Sequence, residues 1–233
     1  IKDFDQKHDA FLIHAWGMTE MSPIGTINAH NHIMEKLPRE ARYLLQQKQG
    51  RPVYGVQIKI ADDAGNELPR DGKTFGRLMV SGPWIVNSYY KNDDMSSFEN
   101  GWFDTGDVAT IDENNYMQIV DRSKDVIKSG GEWISSIDLE NAAVGHPDLA
   151  ECCVIGARHP KWDERPILLA IRHPGVEVDE ASVLAFLQDK IAKWWMPDAV
   201  IFVESLPHTA TGKLLKINLR KEYENYLIEK ENA

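Results

Sequence analysis

The stretch from Pro52 to Val120 constrains the fold most, because short β-type runs alternate there with turn sequences at regular intervals. Residues 53–60 alternate in polarity and read as a strand, and Asp62-Asp63-Ala64-Gly65-Asn66 after them reads as a turn. Gly76–Ser81 is a second strand, ended by Gly82-Pro83, and residues 102–110 and 116–120 are two more around an Asp112–Asn115 turn. Strands at that spacing make a small barrel or a distorted sheet. Ahead of them, residues 1–8 read as part of a helix. Residues 11–15 read as a short buried strand, 16–25 as a turn-rich loop, and 35–49 as a polar helix stopped by Gly50 and Pro52.

After Asp121 the pattern changes. Ser135 is suited to cap a helix, with Asp138 three residues on, and that helix should stop near Gly145, ahead of Pro147. Residues 151–155 and 167–171 are apolar runs of buried-strand type. Asp179 caps a longer helix whose positions Val183, Phe186, Leu187, Lys190, Ile191 and Trp194 share one face, all apolar but the lysine. A strand over 199–203, a polar loop over 209–213 and a helix over 217–226 complete the chain. The expected class is therefore α+β. A strand-rich part covers residues 1–120, and a small α+β domain covers 121–233.

Composition narrows the function. The chain has 233 residues, 42% hydrophobic and 27% charged, as in a soluble globular protein. Its net charge of -10 leaves no broad basic face for nucleic acid, and no apolar run has the length of a membrane span. Cys152 and Cys153 are adjacent, so in a strand they point to opposite faces, cannot bridge, and lack metal-site spacing. A reducing cytoplasm is the simplest compartment. The first residues are polar and charged, unlike a signal peptide, and Ile1 is not a start methionine. The sequence therefore reads as beginning inside a larger protein.

Four segments carry chemistry: Trp16-Gly17-Met18-Thr19-Glu20, Gly101-Trp102-Phe103-Asp104-Thr105-Gly106-Asp107, Asp121-Arg122-Ser123-Lys124-Asp125-Val126-Ile127-Lys128-Ser129-Gly130-Gly131-Glu132, and Thr209-Ala210-Thr211-Gly212-Lys213. Singly each is weak. In this order they resemble the C-terminal half of the motif set of adenylate-forming enzymes, namely acyl-CoA synthetases, luciferases and peptide-synthetase adenylation domains. Residues 76–90 resemble the strand-turn segment before the second motif. The run from Ile127 to Ser136 is most similar to medium- or long-chain fatty-acid CoA ligases. An aryl-CoA ligase or another adenylating enzyme is the runner-up, and a non-catalytic lid or binding module is the rival from another class.

The resemblance implies an AMP-forming acid–CoA ligase. Residues 1–120 would be the C-terminal part of its large adenylation domain and 121–233 its mobile lid. The implied ligands are ATP, Mg²⁺, a carboxylic acid and CoA. Glu20 would hold Mg²⁺, which takes one or two carboxylates plus phosphate oxygens, and the Thr19 hydroxyl would meet phosphate. Trp16 would stack on adenine where the family usually has Tyr. The two oxygens of Asp107 suit the two hydroxyls of a ribose, with Arg122 as the second ribose contact. Lys124 falls at the hinge. Gly130 and Gly131 would let the backbone line the thiol tunnel, and Trp133 would wall that tunnel or simply pack. Lys213 is the catalytic lysine: its ammonium would stabilise the negative charge that gathers as carboxylate meets α-phosphate.

Other candidates are weaker. His30 and His32 suggest no third metal ligand, His159-Pro160 and Trp162–Glu164 form a polar loop that could meet CoA but reads better as a surface loop, and the Lys213, Lys216, Arg220 and Lys221 cluster could meet a phosphate but better suits a solvated helix face. The family's Ser-Gly-Thr-Thr-Gly-type phosphate loop has no match in the chain. The expected partner is therefore a missing N-terminal part of the same protein, without which the chain should not turn over. The resemblance also allows membrane-surface association and a homodimer.

Overall fold

In the computed structural model, which describes residues 1–209, 212 and 214–231, the β-type runs of the first half pair into two antiparallel sheets. After α1 (Lys2–His8), strands β1 (His14–Gly17), β2 (Ile24–Asn28) and β3 (Arg51–Pro52) form the smaller sheet in that order, with α2 (His32–Glu35) and α3 (Arg39–Gln46) between β2 and β3. The larger sheet has β4 (Gln57–Ala61), β5 (Gly76–Ser81), β6 (Phe98–Glu99), β7 (Trp102–Ile111) and β8 (Met117–Arg122), in the order β4-β5-β7-β6 with β8 also on β7. Ile58, Ile60, Leu78, Val80, Ala109, Ile111 and Met117 form its core. The register of β7 shifts against β5 and β8, between Val108 and Ala109 on the β8 side. Such bulges raise local twist and produce the distorted sheet that the strand spacing anticipated.

The chain divides into two units, Ile1–Ser123 and Lys124–Ala233. The second is built on β9 (Ile127–Ser129), β10 (Glu132–Ile134), β11 (Leu149–His159), β12 (Asp163–Arg172) and β13 (Ala199–Phe202). The order is β10-β9-β12-β11, with β13 parallel to β12. Helices α4 (Ser136–Ala143) and α5 (Glu180–Leu187) follow Ser135 and Asp179, whose side chains accept from Asp138 N and Ser182 N as capping chemistry requires. Helices α6 (Lys216–Tyr223) and α7 (Tyr226–Glu231) close the unit.

Alternation along β11 and β12 builds two cores. Cys152, Val154, Leu168 and Ala170 pack with Leu139 and Leu187 of α4 and α5. Cys153, Ile155, Ile167 and Leu169 pack with Leu219 and Leu227 of α6 and α7. The two thiols thus point to opposite sides, both free and buried, and burial pushes each up to about 12.

Four expected elements need correction. Residues 11–15 are not a buried strand: Phe11, Leu12 and Ile13 are exposed, and β1 begins only at His14, where pairing with Asn28 starts. The strand expected over 53–60 starts at Gln57, because Val53 to Val56 close a turn through Gly55 at φ 86°. The helix expected over 35–49 splits at Pro38, which lacks the N–H needed to continue the first piece and stands at the N-cap of the second. The helix after Asp179 ends at Leu187 rather than running to Trp194, which lies in a short 3₁₀ turn, Lys193–Trp195. Pro197 keeps Met196 out of the helical region, and β13 must start at Ala199, so the chain has to turn early.

Candidate active site

In the first unit three of the expected residues converge. Asp107 lies on β7 directly opposite Arg122 on β8. Arg122 Nη1 stands 2.8 Å from Asp107 Oδ1, and the Trp16 indole Nε1 donates to Asp107 Oδ2 at 3.2 Å. Only 6% of the Asp107 side chain is exposed, against 54% for Arg122. Burial pushes the Asp107 carboxyl above the usual carboxylate range, opposed by the Arg122 charge and the Trp16 hydrogen bond. The strand supplies the scaffold. Gly106, at φ 70°, turns the backbone before Asp107, and the Thr105 hydroxyl accepts from Asp107 N while donating to Leu78 O. The Trp16 ring is fixed at another edge too, since a Cβ on Gly25 would lie 2.8 Å from it.

Thr19 and Glu20 lie in a 3₁₀ turn, Thr19–Met21, on a cavity of about 420 Å³ also lined by Ser22, Trp84 and Tyr89. Glu20 Oε1 accepts the Tyr89 hydroxyl at 2.9 Å. Glu20 Oε2 has no protein partner among the described residues, and no group of three or more His, Cys, Asp or Glu side chains gathers there. One open carboxylate beside a hydroxyl suits Mg²⁺ that takes its other ligands from phosphates and water. The sequence reading missed Tyr89. Its only signal was its place in the 76–90 segment, which carried no assigned chemistry.

In the second unit, Lys124 is the first residue, and the following Asp125 pairs with Arg220 of α6. Gly130 and Gly131 form the tip of the β9–β10 hairpin at φ 59° and 87°. Trp133 pairs across it with Lys128, whose ammonium lies 5.3 Å over the indole. The hairpin is backed by two residues that the sequence placed in a surface loop. Trp162 O accepts from Gly130 N at 2.8 Å, and the Glu164 carboxylate accepts from Lys128 N at 3.0 Å. Lys213 lies outside the described residues. Lys216, three residues later, is held at 2.6 Å from both Glu140 Oε1 and Ser136 Oγ.

Both units match known proteins. The AMP-binding enzyme profile matches residues 1–90, and the AMP-binding enzyme C-terminal domain profile matches residues 138–213. The chain belongs to the AMP-binding enzyme family. It is 55% identical to the 3-methylmercaptopropionyl-CoA ligase of Ruegeria pomeroyi over 97% of its length and 42% of that protein. It is 47% identical to the medium-chain-fatty-acid–CoA ligase of Ectopseudomonas oleovorans over 100% of its length and 43% of that protein. Among solved structures, ATP-bound MatB from Rhodopseudomonas palustris matches with a TM-score of 0.78 at 30% identity, covering 97% of this chain and 43% of that one. The chain thus spans well under half the length of the relatives it matches.

Proposed function

We propose that this chain forms the C-terminal part of an AMP-forming acid–CoA ligase and that its ligands are ATP, Mg²⁺, a carboxylic acid and CoA. The observation that carries the reading is the Trp16–Asp107–Arg122 cluster: a buried carboxylate, met on each oxygen by a different donor, at the place where the family resemblance puts the ribose. On this reading residues 1–120 complete the large domain, residues 121–233 are the lid, and Lys124 is its hinge. A fatty acid of medium or long chain is the substrate class, supported by the similarity to fatty-acid CoA ligases. The 55% identity to a 3-methylmercaptopropionyl-CoA ligase favours a short thioether acid as the second reading. Two free, buried thiols suit a reducing cytoplasm.

The chemistry runs in two steps. A carboxylate oxygen of the acid attacks the α-phosphorus of ATP, the bond to the bridging oxygen breaks, and pyrophosphate leaves. Trp16 stacks on the base, Asp107 and Arg122 hold the ribose, and Thr19 donates to phosphate. Glu20 would hold Mg²⁺, which neutralises phosphate charge. Lys213 stabilises the crowded negative charge between carboxylate and phosphate. In the second step the CoA sulfur attacks the acyl carbon, the acyl–phosphate bond breaks, AMP leaves and the thiol proton is lost. Gly130 and Gly131, which carry no side chains, form the backbone beside which the pantetheine would pass, with Trp133 next to it.

Two measurements on the full-length protein test this. Octanoate, palmitate, benzoate and 3-methylmercaptopropionate are compared for CoA thioester formation, and no ATP-dependent thioester with any acid would reject the activity. Lys213→Ala should slow adenylate formation at least about 100-fold, the scale for losing one transition-state charge contact. It should leave thioester formation from supplied acyl-adenylate nearly unchanged. Equal loss in both halves would remove Lys213 from its role.

A further inference from the structure

An ionised carboxylate offers about four acceptor sites, two on each oxygen. Arg122 takes one on Oδ1 of Asp107 and the Trp16 indole takes one on Oδ2. One site then remains on each oxygen, which is what two adjacent hydroxyl donors require. The Arg122 contact is anchored by direct cross-strand pairing. The Trp16 contact is anchored by the ring itself, because Gly25 leaves no room for a Cβ between the ring and the Met21 sulfur, 2.8 and 2.6 Å away. Without the indole, Oδ2 has no other partner among the described residues, and Arg122 on Oδ1 alone holds the carboxylate. A tyrosine or phenylalanine at this position has a stacking face but no N–H at that ring edge.

We infer that Trp16 is a positioning residue whose indole N–H locks the Asp107 carboxylate for a vicinal diol, so that this site selects the ribose of its nucleotide more strongly than stacking alone would. The inference rests on the nucleotide-site reading above. It separates the two jobs of the ring: the face meets the base, and the edge orients the group that reads the sugar.

The test compares equilibrium binding of ATP and 2′,3′-dideoxy-ATP to the full-length protein by calorimetry, in wild type, Trp16→Phe and Gly25→Ala. Phenylalanine keeps a stacking face and loses the donor; Gly25→Ala keeps the indole and displaces it. The ratio of the two affinities within one preparation is independent of how much of that preparation is folded. Wild type should prefer ATP, and Trp16→Phe should cut that preference about tenfold, the scale of one hydrogen bond to a charged acceptor. Gly25→Ala should reduce it in the same direction. If either variant weakens both nucleotides by the same factor, or neither, the positioning role is overturned while the nucleotide site stands. If wild type binds both nucleotides equally, Asp107 does not read the ribose, and the nucleotide-site reading falls together with the inference.

Discussion

Glu140→Ala should destabilise the second unit by about 3–5 kcal/mol, the cost of truncating one partner of a buried ion pair. The side chains of Lys216 and Glu140 keep only 10% and 16% exposure, and their charged atoms are 2.6 Å apart. The same Oε1 accepts from Val154 N at 2.8 Å, and Val154 is fully buried, so the mutation orphans a backbone donor and takes away the counter-charge of the Lys216 ammonium. Lys216→Met should cost about 3 kcal/mol, because Glu140 keeps its Val154 partner while losing its counter-charge. The double variant Glu140→Gln/Lys216→Met removes both charges and retains an acceptor for Val154. It should sit within about 1 kcal/mol of wild type. Urea denaturation at neutral pH reads these differences, and amide exchange at Val154 localises them. A Glu140→Ala protein within about 1 kcal/mol of wild type, with Val154 still protected, would refute the reasoning, as would a double variant no better than the single. Because a whole domain is stable by only about 5–15 kcal/mol, this pair governs whether α6 stays docked three residues beyond Lys213.

Three more outcomes follow from the same coordinates. Gly130→Ala places a Cβ 2.8 Å from the Trp162 ring at φ 59°, whereas Gly131→Ala meets nothing within 4 Å. The first should therefore cost about 2 kcal/mol or more by thermal denaturation and slow thioester formation, and the second only the left-handed strain of about 1–2 kcal/mol. Asp107→Asn tests the burial of that carboxyl. Its folded value lies above the unfolded 3.8, so between those two values the native state holds more protons and stability falls as pH rises. The variant should gain on wild type as pH rises above about 4 in thermal denaturation, while losing nucleotide affinity. Tyr89→Phe removes the hydroxyl that donates to Glu20 Oε1. ATP binding measured across a Mg²⁺ series should then need roughly fivefold more metal, the scale of one modest hydrogen bond. An unchanged series would show that Tyr89 does not position Glu20.

Much of the fold was legible because it depends on local chemistry. Ser135 and Asp179 mark helix starts through side-chain oxygens that reach backbone N–H groups two or three residues away. The turn at Asp112–Asn115 follows from an aspartate side chain that accepts from the N–H groups after it, and the two-sided burial of Cys152 and Cys153 follows from a period of two. Errors arose where the same local signal has two meanings. Phe11-Leu12-Ile13 is apolar enough for a core, but hydrophobicity does not say which neighbour will cover it, and all three stay exposed here. The apolar face from Val183 to Trp194 is helical in spacing, yet the return to β13 ends the helix at Leu187.

Sequence alone determined the four motifs, their order and the α+β class, which follow from patterns and turn chemistry that act within a few residues. Only the tertiary structure decided how those residues meet. Trp16 and Asp107 are 91 positions apart, and Glu20 and Tyr89 are 69 apart. No local rule links such pairs. They are joined by sheet register, by the bulge beside Asp107 and by a glycine that leaves room for an indole. Contacts of that range form only when the whole sheet closes, because the loop entropy between their partners is offset by the core and not by the contact itself.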